Sequence, residues 1–179
     1  MRFERTDFAG LVLIHPGRRE DERGHFARVF DAALFERQGL ATAFVQWSTS
    51  HNRRAGTLRG LHFQKPPHAE AKLVRCTRGA VFDVAVDLRP QEASFGRWAG
   101  FVLSAANGLS LHVPAGFAHG FQTLEDESEL AYAITPAFAP DAAAGLRWDD
   151  PALAIAWPRP VAAISPKDRA WPDLDRAFP

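Results

Sequence analysis

The chain has 179 residues, 46% hydrophobic and 23% charged, the size and balance of one globular domain over residues 1–179 with a single substantial core. Its 21 Lys and Arg are matched by 21 Asp and Glu, which excludes a chain-wide basic surface for nucleic acid. The lone cysteine, Cys76, excludes an internal disulfide, and neither a signal-peptide core after Met1 nor a run of ~18 apolar residues is present, so the expectation is a cytoplasmic protein with no membrane or nucleic-acid partner.

In chain order, Leu11–Ile14 is a short apolar run closed by Pro16-Gly17, and His25–Phe30 alternates weakly. Asp31 before Ala32, Ala33, Leu34 and Phe35, with Gly39 behind, predicts one short helix with an acidic N-cap and a glycine stop. Strands are predicted at 44–50, 57–64, 71–77, 80–88, 98–103, 109–113, 117–124 and 129–135, punctuated by Gly79, Pro90, Gly96, Asn107-Gly108 and Pro114-Ala115-Gly116. Many short strands with one helix define an all-β sandwich or barrel. From Pro136 onward the chain holds eight of its 13 prolines together with Trp148, Trp157 and Trp171, a loop-rich tail that packs on the barrel.

Strand alternation places Leu130, Tyr132 and Ile134 on one face, with Tyr132, the only tyrosine, pointing inward. Leu58, Gly60, His62 and Gln64 share a face of another strand, and Lys72, Val74 and Cys76 share a face of a third. A histidine, a glutamine, a lysine and a phenol on inward faces form the lining of a small-barrel ligand pocket, or else its rim. Arg59 has the wrong parity to join His62 unless Gly60 makes a bulge.

Pro114-Ala115-Gly116-Phe117-Ala118-His119 has the P-x-G-x-x-H spacing of the second motif of the cupin jelly rolls, and His62-Phe63-Gln64 with Glu70 falls at the first. A transition metal needs three or four converging donors, but Gln64 stands where a second imidazole belongs and Lys72 would repel a cation. The chemistry open to the residues without metal is proton transfer. A histidine removes a proton α to a ketone, an ammonium stabilises the enolate oxygen, and a phenol on the opposite face returns the proton and inverts the carbon. No cofactor is implied, since neither G-x-G-x-x-G nor a P-loop is present.

The chain resembles the dTDP-4-dehydrorhamnose 3,5-epimerases over nearly its whole length. The stretches that carry the resemblance are Asp21–Gly24, Gly56–Gln64, Pro66–Arg75, Val81–Arg89, Pro114–Phe121, Gly145–Pro151 and Ile164–Asp168, in that order. It implies a cupin-type double-stranded β-helix, or jelly roll, that forms a homodimer and epimerises a nucleotide-linked 4-keto-6-deoxyhexose without a cofactor. His62 falls at the base position, Tyr132 at the acid position, Asp168 where an aspartate holds the base, and Lys72 where a lysine faces the keto oxygen. Arg23, Gln46, Ser48, Arg59, His119, Phe138 and Lys167 fall at substrate-binding positions. The family commonly has glutamate at Arg28 and Ala143, asparagine at Ser48 and a second tyrosine at Phe138. The alternatives are a single-centre epimerase on another nucleotide sugar, a non-catalytic sugar-nucleotide-binding cupin and a metal-dependent cupin oxygenase. Lys72 has a second role open to it, a buried ion pair with Glu70 or Asp83.

Overall fold

The computed structural model describes residues 1–178. Thirteen strands, three short α-helices and one 3-10 turn (Pro140–Ala142) make it up: β1 (Arg2–Arg5), β2 (Val12–His15), β3 (Arg18–Asp21), β4 (Gly24–Ala27), α1 (Ala32–Arg37), β5 (Gln46–Asn52), β6 (Leu58–Gln64), β7 (Ala71–Arg78), β8 (Ala80–Asp87), β9 (Trp98–Ser104), β10 (Ser110–Val113), β11 (Phe117–Thr123), β12 (Ser128–Thr135), β13 (Ala143–Gly145), α2 (Pro166–Arg169) and α3 (Leu174–Ala177). Two antiparallel sheets face each other as a jelly roll. One has six strands in the order β1-β2-β10-β7-β12-β5, the other five in the order β13-β6-β11-β8-β9, and β3–β4 form a separate ribbon.

Alternation along the strands explains the layers. Val74 and Cys76 of β7 and Leu130 of β12 point inward and meet Val81, Ala85, Phe117 and Phe121 of the opposing sheet. The intervening residues Leu73 and Ala133 point outward, where Phe35 of α1 and the rings of Phe3, Phe30 and Phe44 cover them. On the far side of the five-stranded sheet, Leu61, Val84, Val86 and Ala118 are covered by Leu146, Leu153, Trp157 and Leu174 of the tail. The tail is therefore a third layer, tied down by Trp157 Nε1 donating to the Trp148 carbonyl at 2.8 Å and Trp98 Nε1 donating to the Leu153 carbonyl at 2.9 Å.

The helix at 32–37 starts as expected: the Asp31 carboxylate accepts from the Leu34 amide at 3.1 Å. Three features depart from the expectation. The tail carries two single-turn helices and the short strand β13 rather than loop alone, because Ser165 caps α2 and Ala143–Gly145 pairs with β6 without any apolar pattern of its own. The 25–30 segment is a strand only to Ala27, because its antiparallel partner β3 begins at Arg18 and offers nothing beyond that pair. Strand β1, Arg-Phe-Glu-Arg, carries no apolar alternation and exists by pairing with β2.

The bulge at Gly60 is present. His119 of β11 pairs with His62, but two residues on, Phe121 pairs with Arg59, so β6 carries one extra residue between them. A side chain at Gly60 would reach the Gly120 backbone at 2.6 Å, and its φ of +128° suits glycine alone. The extra residue brings Arg59 into the lining of the same cavity as His62 and Gln64.

Candidate active site

A cavity of about 780 Å³ opens between the two sheets, within the range that accommodates a small organic ligand. His62 from β6 and Asp168 from α2 line it on the side of the five-stranded sheet. Lys72 from β7 and Tyr132 from β12 line it on the side of the six-stranded sheet. Gln46 and Ser48 of β5, Arg59, Phe138 and Lys167 complete the expected residues that it gathers.

His62 and Asp168, 106 positions apart, are joined at 2.7 Å between Nε2 and Oδ1. Asp168 is buried, and its second oxygen accepts from the Gly60 amide at 3.4 Å. Burial is the largest influence on this carboxyl and acts to raise its pKa. The His62 contact, with help from Gly60 and Ser165, outweighs it and holds the carboxyl below its ordinary value, ionised at neutral pH. An ionised carboxylate only accepts, so Nε2 carries a proton, and in the neutral imidazole the lone pair is on Nδ1. The imidazole remains 43% exposed, open to whatever enters the cavity.

Tyr132 sits in the middle of β12, paired with Ser48 on one side and Val74 on the other, and its ring packs on the inner core. Among the described residues no protein group holds its hydroxyl by a hydrogen bond, and Tyr132 lines the same cavity as His62. Lys72 is nearly buried. Its Nζ lies 2.9 Å from Glu70 Oε1 and 3.5 Å from the His62 carbonyl. Of the two partners open to Lys72 in the sequence, Glu70 is the one that binds it, and Asp83 pairs with His119 instead.

The remaining side chains are braced by neighbouring amides and a ring, of which Asn52 carries no signal of its own in the sequence. Arg59 Nε donates to Asn52 Oδ1 at 2.7 Å, and buried Asn52 is itself fixed by its amide donating to the Ser50 and Ser128 carbonyls. That leaves the guanidinium's two terminal nitrogens for an anion. Lys167 Nζ lies 5.3 Å from the centre of the Trp171 ring. The loop that carries Phe138 is pinned by two glutamine side-chain carbonyls. Gln46 accepts from the Phe138 amide at 2.6 Å, and Gln64 accepts from the Ala139 amide at 2.5 Å.

Two expected site residues lie elsewhere. His119 is buried inside the barrel, with Nε2 2.9 and 3.0 Å from the two Asp83 oxygens, and does not line the cavity. Arg23 lies at the exposed turn of the β3–β4 ribbon, 2.6 Å from Asp21, also outside this cavity. The two histidines and the glutamate of the cupin metal spacing are each committed to another partner, and among the described residues no three His, Cys, Asp or Glu side chains converge on one point.

A jelly roll with a carboxylate-held imidazole, an ammonium and a phenol around one cavity holds the groups that a cupin-type acid–base isomerase requires. The chain belongs to the dTDP-4-dehydrorhamnose 3,5-epimerase family, whose model matches residues 5–176. It is 44% identical over 175 residues to the dTDP-4-dehydrorhamnose 3,5-epimerase of Sinorhizobium fredii, covering 97% of this chain and 90% of that one. It is likewise 44% identical over 177 residues to the Escherichia coli enzyme of the same name, covering 98% and 95%. Among solved structures, the dTDP-6-deoxy-D-glucose-3,5-epimerase of Legionella pneumophila in complex with dTDP-4-keto-L-rhamnose superposes with a TM-score of 0.91 at 39% identity, covering 97% of this chain and 93% of that one.

Proposed function

We propose that this chain epimerises a dTDP-linked 4-keto-6-deoxyhexose at C3 and C5, carrying dTDP-4-dehydro-6-deoxyglucose to dTDP-4-dehydrorhamnose. One observation carries the reading: His62 and Tyr132 approach a single cavity from opposite sheets. A C–H beside a ketone gives up its proton when the enolate oxygen is stabilised as the charge develops. Nδ1 of His62 takes that proton, and the resulting imidazolium is met by Asp168. A Lys72 N–H faces the C4 oxygen, where a preorganised donor contributes about 3 kcal/mol to the barrier. Tyr132 delivers a proton from its O–H to the opposite face of the carbon, inverting it. Proton transfer of this kind by a positioned group contributes roughly 10²–10⁴ in rate. The same pair of walls serves C3 and C5 in turn, because both carbons flank the one ketone. Arg59 and Lys167 hold the diphosphate, Gln46 and Ser48 offer polar contacts, and the exposed Phe138 ring offers an aromatic face to the nucleotide.

The test is incubation with dTDP-4-dehydro-6-deoxyglucose in heavy water. Deuterium at both C3 and C5 of an inverted product supports the reading. Label at one carbon supports a single-centre epimerase, for which the replacement of a phenol by Phe138 argues, and tight binding without label supports a binding module.

We also propose a homodimer of one-domain chains. Strand β5 is a sheet edge with Trp47 56% exposed, and Phe26, Val45 and Phe138 are exposed large apolar side chains in the same structure. Arg23, which lies outside this chain's cavity, meets substrate only if its ribbon reaches the cavity of a second copy. Sedimentation of the wild type as a dimer and of Trp47→Asp as a monomer supports this, and a wild-type monomer contradicts it. No helix among the described residues is long and apolar enough to cross a membrane, and the free, buried Cys76 thiol accords with a cytoplasmic location.

A further inference from the structure

The charges around the cavity are not distributed evenly. Three cations line it, Arg59, Lys72 and Lys167, with two carboxylates, Glu70 and Asp168. Asp168 is committed to His62, and Glu70 is committed to Lys72 at 2.9 Å, with both partners nearly buried. The other two cations are exposed, and neither has a carboxylate partner among the described residues: Arg59 leans on the neutral Asn52 amide and Lys167 on the Trp171 ring. The cavity thus has an exposed pair of uncompensated cations and one buried, compensated ammonium.

This arrangement has a physical consequence for a ligand with a dianionic end and a neutral ketone end. An uncompensated buried ammonium is poorly solvated and attracts an anion more strongly than an exposed one, since the same charge acts through a lower dielectric. Without a counter-charge, Lys72 would compete with Arg59 and Lys167 for the diphosphate and draw the wrong end of the substrate toward His62. Glu70 also fixes geometry. An ammonium has three N–H donors. One goes to Glu70 and a second points toward the His62 carbonyl, so the rotation of the group is set and one donor is left for the cavity.

We propose that Glu70 is a positioning residue that sets the polarity of substrate binding: it neutralises Lys72 so that the diphosphate stays at Arg59 and Lys167, and it aims the free Lys72 N–H at the C4 oxygen. This rests on the epimerase reading above, in which Lys72 faces the ketone.

The variant Glu70→Gln keeps the shape of the side chain and removes its charge, and inorganic diphosphate is the probe. Steady-state kinetics of the variant should show kcat lowered by about tenfold or more through misaimed Lys72. Inhibition by inorganic diphosphate should strengthen by about threefold or more, because a third uncompensated cation now faces the cavity. A merely structural role for Glu70 would not strengthen diphosphate inhibition. An unchanged kcat or an unchanged inhibition constant overturns the inference. If Glu70→Gln does not fold, Glu70→Gln/Lys72→Met is compared with Lys72→Met alone. Equal kcat supports action through Lys72, whereas a further loss beyond about threefold overturns it. Wild-type protein that labels neither carbon in heavy water overturns the epimerase reading itself, a result separate from any behaviour of the Glu70 variants.

Discussion

Asp168 holds the Nε2 proton of His62 at 2.7 Å and so leaves Nδ1 as the basic nitrogen of the cavity. The carboxylate arrives from a single-turn helix whose Ser165 cap donates nothing to catalysis but accepts the Asp168 amide at 3.0 Å, locking the turn that presents it. Orientation and charge thus come from one side chain.

Asp168→Asn should lower kcat by roughly 10²–10⁴ with little change in KM, because an amide neither selects the Nε2–H tautomer nor stabilises the imidazolium. Steady-state kinetics check this, together with a melting profile showing that the variant is folded.

Asn52→Ala should act on the opposite kinetic parameter. Asn52 touches no part of the reacting ketone in the proposed pose and works by aiming Arg59 at the diphosphate, so KM should rise by about fivefold or more while kcat stays near its wild-type value. Its amide also satisfies the Ser128 carbonyl, so a stability loss of about 1–2 kcal/mol accompanies the change. A fall in kcat with KM unchanged would place Arg59 at the reaction centre instead.

His112 gives the fold a pH dependence of its own. The ring is buried between β10 and the 40s loop, with Nδ1 donating to the Gly10 carbonyl at 2.9 Å and Nε2 accepting from the Ala41 amide at 3.4 Å. Burial is the main cause that pushes its pKa below the ordinary 6.5. The unfolded chain therefore binds a proton below pH 6.5 that the folded chain resists. The contribution is present above that pH and is lost as the pH falls toward the lowered folded value, with a slope of at most about 1.4 kcal/mol per pH unit. Denaturant titrations of wild type and His112→Gln between roughly pH 7.5 and 5, the window that brackets an ordinary histidine, should show the wild type losing stability faster on acidification. Parallel curves would contradict this.

Much of the fold was legible because β8, Ala-Val-Phe-Asp-Val-Ala-Val-Asp, is a mostly apolar run opened by Gly79 and buried on both faces, so burial and pattern agree, and because β7 before it alternates about Val74 and Cys76. Strands β1, β3 and β13 were not legible, since Arg-Phe-Glu-Arg, Arg-Arg-Glu-Asp and Ala-Ala-Gly acquire their conformation from a neighbour rather than from their own periodicity. In the site, the inward faces of His62, Lys72 and Tyr132 followed from alternation. Arg59 required the bulge at Gly60, a backbone feature that parity could flag as necessary without establishing it. The joining of His62 to Asp168 spans 106 positions and has no local signature, so only the resemblance pointed to it. Asn52 carried no signal, because an amide that braces a cation looks like an ordinary polar residue until the chain is folded; Gln64 was legible as an inward-facing residue, but its bracing of the Phe138 loop was not.

The sharpest measurement separates removal of the proton from its return. Tyr132→Phe and His62→Ala are incubated with dTDP-4-dehydro-6-deoxyglucose in heavy water, and hydrogen exchange and configuration at C3 and C5 are followed together. Opposed walls require Tyr132→Phe to exchange hydrogen while inverting slowly, and His62→Ala to do neither. Inversion by Tyr132→Phe at the wild-type rate, or exchange by His62→Ala, would contradict the assignment of the two walls.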